Sequence, residues 1–197
     1  SNLGVSAQTA ADIFRWFPMG AAAITPLLGS YLDHKGKGAT MLIFGAILMT
    51  VCHLIFAFVL PAYPSTLIAY GAIIILGISF SLVPAALWPS VPKIMETRYL
   101  GSAYSLIFWI QNWGLMGVPY LIGKVLDNYC VVDNATTVAE EITGVVAPET
   151  VTRVAYDYTV PMLIFAGLGV LSILFAFLLL RENKKMGYGL QQPNIRK

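Results

Sequence analysis

Long uncharged apolar runs alternate with short charged ones along this chain. An apolar run of roughly 20 residues spans a hydrocarbon layer about 30 Å thick as a helix. Five such stretches stand out, at 11–32, 39–60, 65–92, 100–126 and 158–180, and within them only Asp12, Arg15 and Lys124 carry charge. The pattern predicts an all-α, polytopic transmembrane helix bundle with five visible spans. The expected layout is an outer loop at 1–10, four transmembrane helices within 11–126, an outer acidic loop at 127–157, a last transmembrane helix at 158–180 and a cytoplasmic tail at 181–197.

Composition agrees with this reading. Of 197 residues 57% are hydrophobic and 11% charged, and the mean hydropathy is +0.73, far above that of a water-soluble domain. A soluble enzyme and a disordered tail are excluded. So is a nucleic-acid partner, which would need a basic patch. The net charge of +2 hides an asymmetry. If the spans alternate, one face holds Lys35, Lys37, Lys93, Arg98, Arg181, Lys184, Lys185, Arg196 and Lys197, and the other only Arg153. The positive-inside rule makes the first face cytoplasmic, with the N-terminus outside and the C-terminus inside.

The stretch from Asp127 to Tyr156 is acidic, with Asp127, Asp133, Glu140, Glu141 and Glu149 against Arg153. Its partly apolar part, Val145 to Val154, suits a hairpin or a short helix. Asn134-Ala135-Thr136 matches the glycosylation acceptor pattern, a triplet that also arises by chance. Cys52 lies in a span and Cys130 in the outer loop, so no disulfide is expected. Five crossings with no targeting segment ahead of them lead us to expect the distal part of a larger protein, with a further bundle upstream.

The turn after the first span carries chemistry. Gly29-Ser30-Tyr31-Leu32-Asp33-His34-Lys35-Gly36-Lys37 sets a glycine where a neighbouring helix can approach closely. It also sets an acid where a carboxylate can cap the next helix. The spacing G-x-x-x-D-x-x-G-K resembles the signature loop of the major facilitator superfamily, which recurs after the second and eighth of twelve helices. Gly29, Asp33, Gly36 and Lys37 match, while His34 and Gly38 stand where basic residues are usual. Four spans follow the loop. The resemblance therefore implies the C-terminal half of a twelve-helix major facilitator fold, the spans being helices 8 to 12, and the four matching residues a conformational latch.

Leu87-Trp88-Pro89, Leu100-Gly101-Ser102-Ala103-Tyr104, Ile110-Gln111-Asn112-Trp113-Gly114-Leu115 and Leu126-Asp127 narrow the likeness. They are similar to the subfamily of major facilitator superfamily domain-containing protein 1, a lysosomal dipeptide carrier with bacterial relatives. That likeness implies a transporter moving a small organic solute, dipeptides or the like, by alternating access. Its partners would be the solute, the lipid bilayer and the missing N-terminal bundle. Its location would be the plasma (inner) membrane of a bacterium or the lysosomal membrane of a eukaryote.

Arg15, the one basic residue well inside a span, is costly in lipid and should face a cavity or a partner. Its planar fork suits a substrate carboxylate, but pairing with Asp12 one turn away serves equally. Gln111 and Asn112 fall mid-span, where lipid offers no hydrogen bond, and must point inward. They either touch substrate or join helices. Trp88 and Tyr104 can stack and hydrogen-bond with substrate, though such stripes more often pack. His53 reads as a packed, neutral residue. Prolines 84, 89 and 92 either bend a helix for packing or make an inner gate.

No metal-ligand spacing, no phosphate-binding glycine loop and no nucleophile beside a base is present, so neither a cofactor nor an enzyme is expected. A non-transporting membrane sensor, or a scaffold or subunit pairing with a separate bundle, is the rival reading.

Overall fold

The computed structural model describes residues 7–132 and 155–195, with side chains placed over 11–132 and 156–195. Five long helices carry the described chain. They are α1 (Ala7–Lys35), α2 (Gly38–Ala62), α3 (Thr66–Ile94), α4 (Leu100–Tyr129) and α5 (Thr159–Met186). Each matches one of the five apolar stretches, α3 and α5 starting one residue inside theirs. Three of them, α2, α3 and α5, are long and apolar enough to cross a membrane. The other two, α1 with 29 residues and α4 with 30, have the length but are not among them. They also hold all three charges of the apolar stretches.

The packing runs as a row, α1 against α3, α3 against α2, and α2 against α5. Ile13, Leu60, Ala69 and Ile73 fill one core cluster, and Leu32, Ala85 and Ala86 another. Small residues let the helices close up. A Cβ on Gly45 would press on Leu82, and one on Gly169 would run into Thr50 Oγ1. Hydrogen bonds cross the same seams. The Cys52 thiol donates to the Ala72 carbonyl at 3.2 Å, and the Ser81 hydroxyl lies 3.3 Å from the Ala21 carbonyl while donating to Gly77 at 2.8 Å.

Helix α4 differs. It meets the end of α3 and a few residues of α5, and none of its residues is buried.

Prolines mark where the regular helix gives way. Pro61 would drive its ring into the Ala57 carbonyl, and α2 widens into a π turn over Ile55–Val59 just before it. Pro84 sits inside regular helix, but α3 tightens into a 3₁₀ turn at Trp88–Ser90, between Leu87 and the Val91–Ile94 turn.

Beyond α4, β1 (Val131–Val132) pairs antiparallel with β2 (Ala155–Tyr156), Val131 opposite Tyr156 and Val132 opposite Ala155. This ribbon brings the two ends of the acidic stretch together. Asp133, Asn134, Glu140, Glu141, Glu149 and Arg153, the partly apolar 145–154 segment, and Arg196 and Lys197 lie outside the described residues.

Candidate functional site

Two places gather the residues singled out above. The first is the corner between α3 and α4. Pro92 has no N–H and cannot give the Trp88 carbonyl its helical i+4 donor. The Tyr104 hydroxyl donates to that carbonyl instead, at 3.2 Å. The rings follow the backbone contact. Trp88 lies 5.8 Å from Tyr104 and stacks on Phe108 at 5.0 Å between centroids. Trp88 and Tyr104 are half-buried, so each still presents an edge.

One turn beyond Phe108 stand Gln111 and Asn112, both exposed. Asn112 Nδ2 donates to the Phe108 carbonyl at 2.8 Å, which leaves its amide oxygen available as an acceptor. Gln111 makes no hydrogen bond among the described residues. Trp109 and Trp113 meet edge to face beside them, centroids 6.0 Å apart. Helix α4 thus shows aromatic rings and two amides on an uncovered surface.

Arg15 lies apart from that wall. Its guanidinium pairs with Asp12 one turn back at 3.0 Å, the two side chains being 65% and 44% exposed. No hydrogen bond or ion pair among the described residues joins it to Gln111 or Asn112. The structure brings Trp88 and Tyr104 together and leaves Arg15 on a different helix with a neighbour of its own.

The second place is the turn between α1 and α2. Gly36 and Lys37 both adopt left-handed backbone, φ 72° and 65°. That is free for glycine and strained for lysine. Helix α2 starts without a side-chain cap at Lys37. The Lys37 and Gly38 N–H groups donate to the Gln191 and Leu190 carbonyls at 3.0 and 3.1 Å. The Asp33 carboxylate does not serve as that cap; it accepts from Asn194 Nδ2 at 2.6 Å. Gly29 has open space where a Cβ would point, so no described helix exploits its small size.

Over 123 residues the chain is 32% identical to the lysosomal dipeptide transporter MFSD1 of Mus musculus. Over 127 residues it is 30% identical to that of Homo sapiens, and over 107 residues 33% identical to that of Danio rerio. These alignments cover 62%, 64% and 54% of this chain but 25%, 26% and 22% of the relatives. Over the matched stretch the chain resembles a transporter of the major facilitator superfamily. The chain spans about a quarter of the length of the curated relatives it matches. No family model matches it, and neither does any solved structure.

The histidine on α2 is half-buried and packed. His53 Nδ1 faces the Met49 carbonyl at 2.7 Å. A carbonyl only accepts, so this nitrogen carries the proton. The ring lies 5.3 Å from Phe165. Sequence reasoning missed Asn194, which holds Asp33, and Lys93, whose ammonium donates to the Gln192 carbonyl at 2.7 Å. The signal was faint: Gly187, Gly189 and Pro193 are turn residues that follow an apolar helix.

Proposed function

We propose that this chain is the C-terminal part of an alternating-access transporter for a small organic solute, dipeptides being the leading class. Its five helices serve as spans equivalent to helices 8 to 12 of a twelve-helix fold, α1 and α4 crossing beside α2, α3 and α5. The end bearing Lys35, Lys37, Lys93 and Lys184 faces the cytoplasm. A separate N-terminal bundle supplies the facing half.

The observation that carries this reading is α4. A 30-residue helix with no buried residue that displays Gln111, Asn112, Trp109 and Trp113 is poorly suited to lipid, because the Gln111 amide and the Asn112 amide oxygen, which have no hydrogen bond among the described residues, would find none there. A polar cavity shared with a second bundle satisfies them. Sites near the midplane between repeated bundles are the usual arrangement in transporters. In that cavity Trp88 and Tyr104 stack against the solute, Gln111 and Asn112 hydrogen-bond its backbone-like groups, and Arg15 takes its carboxylate. Gly29, Asp33, Gly36 and Lys37 form the latch that biases one open state. Resemblance to the dipeptide transporters supports the substrate class.

Uptake into proteoliposomes of the full-length protein tests this, with dipeptides, amino acids and sugars offered at several pH values. Saturable dipeptide uptake is the expected result. Binding of solute without uptake would favour a sensor, and neither binding nor uptake a scaffold; either overturns the proposal.

A further inference from the structure

The nine residues that follow α5 form a strap across the turn between α1 and α2. Helix α5 ends at Gly187 in left-handed backbone, φ 71°. The chain then reverses, and Leu190 plunges inward to 1% exposure. The buried Asn183 side chain holds that reversal, its Oδ1 accepting from the Leu190 N–H at 2.9 Å. From there the strap touches three elements. Its Gln191 and Leu190 carbonyls take the N–H groups of Lys37, just before α2, and of Gly38, its first residue. Its Gly189 and Gln192 carbonyls accept from Lys93 Nζ at the end of α3, at 3.4 and 2.7 Å. Its Asn194 and Ile195 N–H groups both donate to the Asp33 carbonyl at 3.0 Å, beside the Asn194–Asp33 side-chain bond.

Gly36 makes the close fit possible, since a Cβ there would collide with the Gln191–Pro193 backbone. The strap also replaces the missing cap of α2 and holds Lys37 in its strained backbone. One group opposes it. Gln191 Oε1 is buried without a hydrogen-bond partner, although Gln191 Nε2 reaches Thr40 at 2.7 Å. A buried acceptor with no donor weakens a contact. The strap is thus specific, with one contact that disfavours it.

We infer that the Gly187–Ile195 strap is a conformational brake: it occupies the Asp33 carboxylate and thereby competes with the facing bundle for the latch. This rests on the latch reading given under Proposed function. With the strap seated, Asp33 is bonded within its own bundle. Lifting it frees the Asp33 carboxylate, which is already partly exposed, from Asn194 and frees the Lys37 and Gly38 amides.

The test uses the full-length protein in lipid nanodiscs and two variants. Asn194→Ala removes one bond and leaves the core intact, while Leu190→Ala removes the buried anchor. Amide hydrogen exchange at Lys37 and Gly38 should quicken at least tenfold in Leu190→Ala and measurably in Asn194→Ala. Unchanged exchange in both means no strap and overturns the inference. Spin-label distances across the two bundles should shift in Asn194→Ala toward the latched state and return when Asp33→Asn is added. Quickened exchange with unmoved distances overturns the competition. Wild-type solute uptake is scored separately, so a failed transporter reading is not confused with a failed strap.

Discussion

The Tyr104 hydroxyl sits 3.2 Å from the Trp88 carbonyl, the one whose helical donor Pro92 cannot supply. A backbone defect in α3 and a side chain on α4 thereby answer each other, and the contact ties down a helix that has no fully buried residue. Tyr104→Phe removes only the bond. It should lower stability by about 1 kcal/mol in thermal unfolding in detergent. Trp88→Ala strips both ring contacts as well and should cost more, together with at least a tenfold loss of solute affinity. A Trp88→Ala protein with wild-type affinity would take the corner out of the site and leave it as packing.

Of the described glycines, Gly169 leaves the least room for a side chain, against Thr50 of α2. A methyl at Gly169 runs into the Thr50 side chain, and Thr50 is itself held by its bond to the Ala46 carbonyl at 2.8 Å. Overpacking of this kind costs about 1–3 kcal/mol. Gly169→Ala should therefore lower the melting temperature, and Thr50→Ala should restore part of the loss. A double-mutant cycle reads the coupling, and additive effects would mean that α5 simply moves away.

Arg15 separates binding from packing. If it takes the carboxylate of the solute, Arg15→Gln weakens uptake affinity at least tenfold, whereas Asp12→Asn, which removes its present partner, leaves affinity the same or improved. If the pair only neutralises itself, neither change moves affinity, and both alter stability by less than about 1 kcal/mol because the pair is exposed.

Outside the helices, Asp157 offers a pH readout. Its carboxyl is held below the ordinary carboxylate range by hydrogen bonds from the Thr159 side chain and backbone, desolvation acting weakly the other way. Its Oδ1 accepts from the Thr159 N–H at 2.9 Å. A depressed folded-state pKa contributes stability that is present above the unfolded value and lost as pH falls through the folded one. The start of α5 and the β1–β2 ribbon should loosen below about pH 4, and Asp157→Asn should flatten that dependence. Backbone exchange near Thr159, followed against pH, measures it.

All five helices were legible from the chain, because their apolar runs are long and interrupted by clustered charge. The Arg15–Asp12 pair was one of two readings that the i,i+3 spacing left open, and a packed His53 was expected because no carboxylate lies in the core of any apolar stretch. Three features were hidden for a physical reason. The isolation of α4 is a property of what it fails to touch, and periodicity along one helix says nothing about that. The Asp33–Asn194 bond joins positions 161 residues apart, so no local pattern pointed to it. Pro92 was visible as a bend, but the carbonyl it strands at Trp88, and the side chain that repairs it, emerge only once two helices are seen together.

The widened turn at Ile55–Val59 amounts to a spare residue stored within α2. A one-residue deletion there should convert the wide turn to ordinary α-helix and leave both flanks in phase with α3 and α5. The same deletion at Ile43 to Thr50 would rotate everything beyond it by about 100° and swing Cys52 away from Ala72. Length variation in this helix is therefore tolerated at a single splice point, near its Pro61 end.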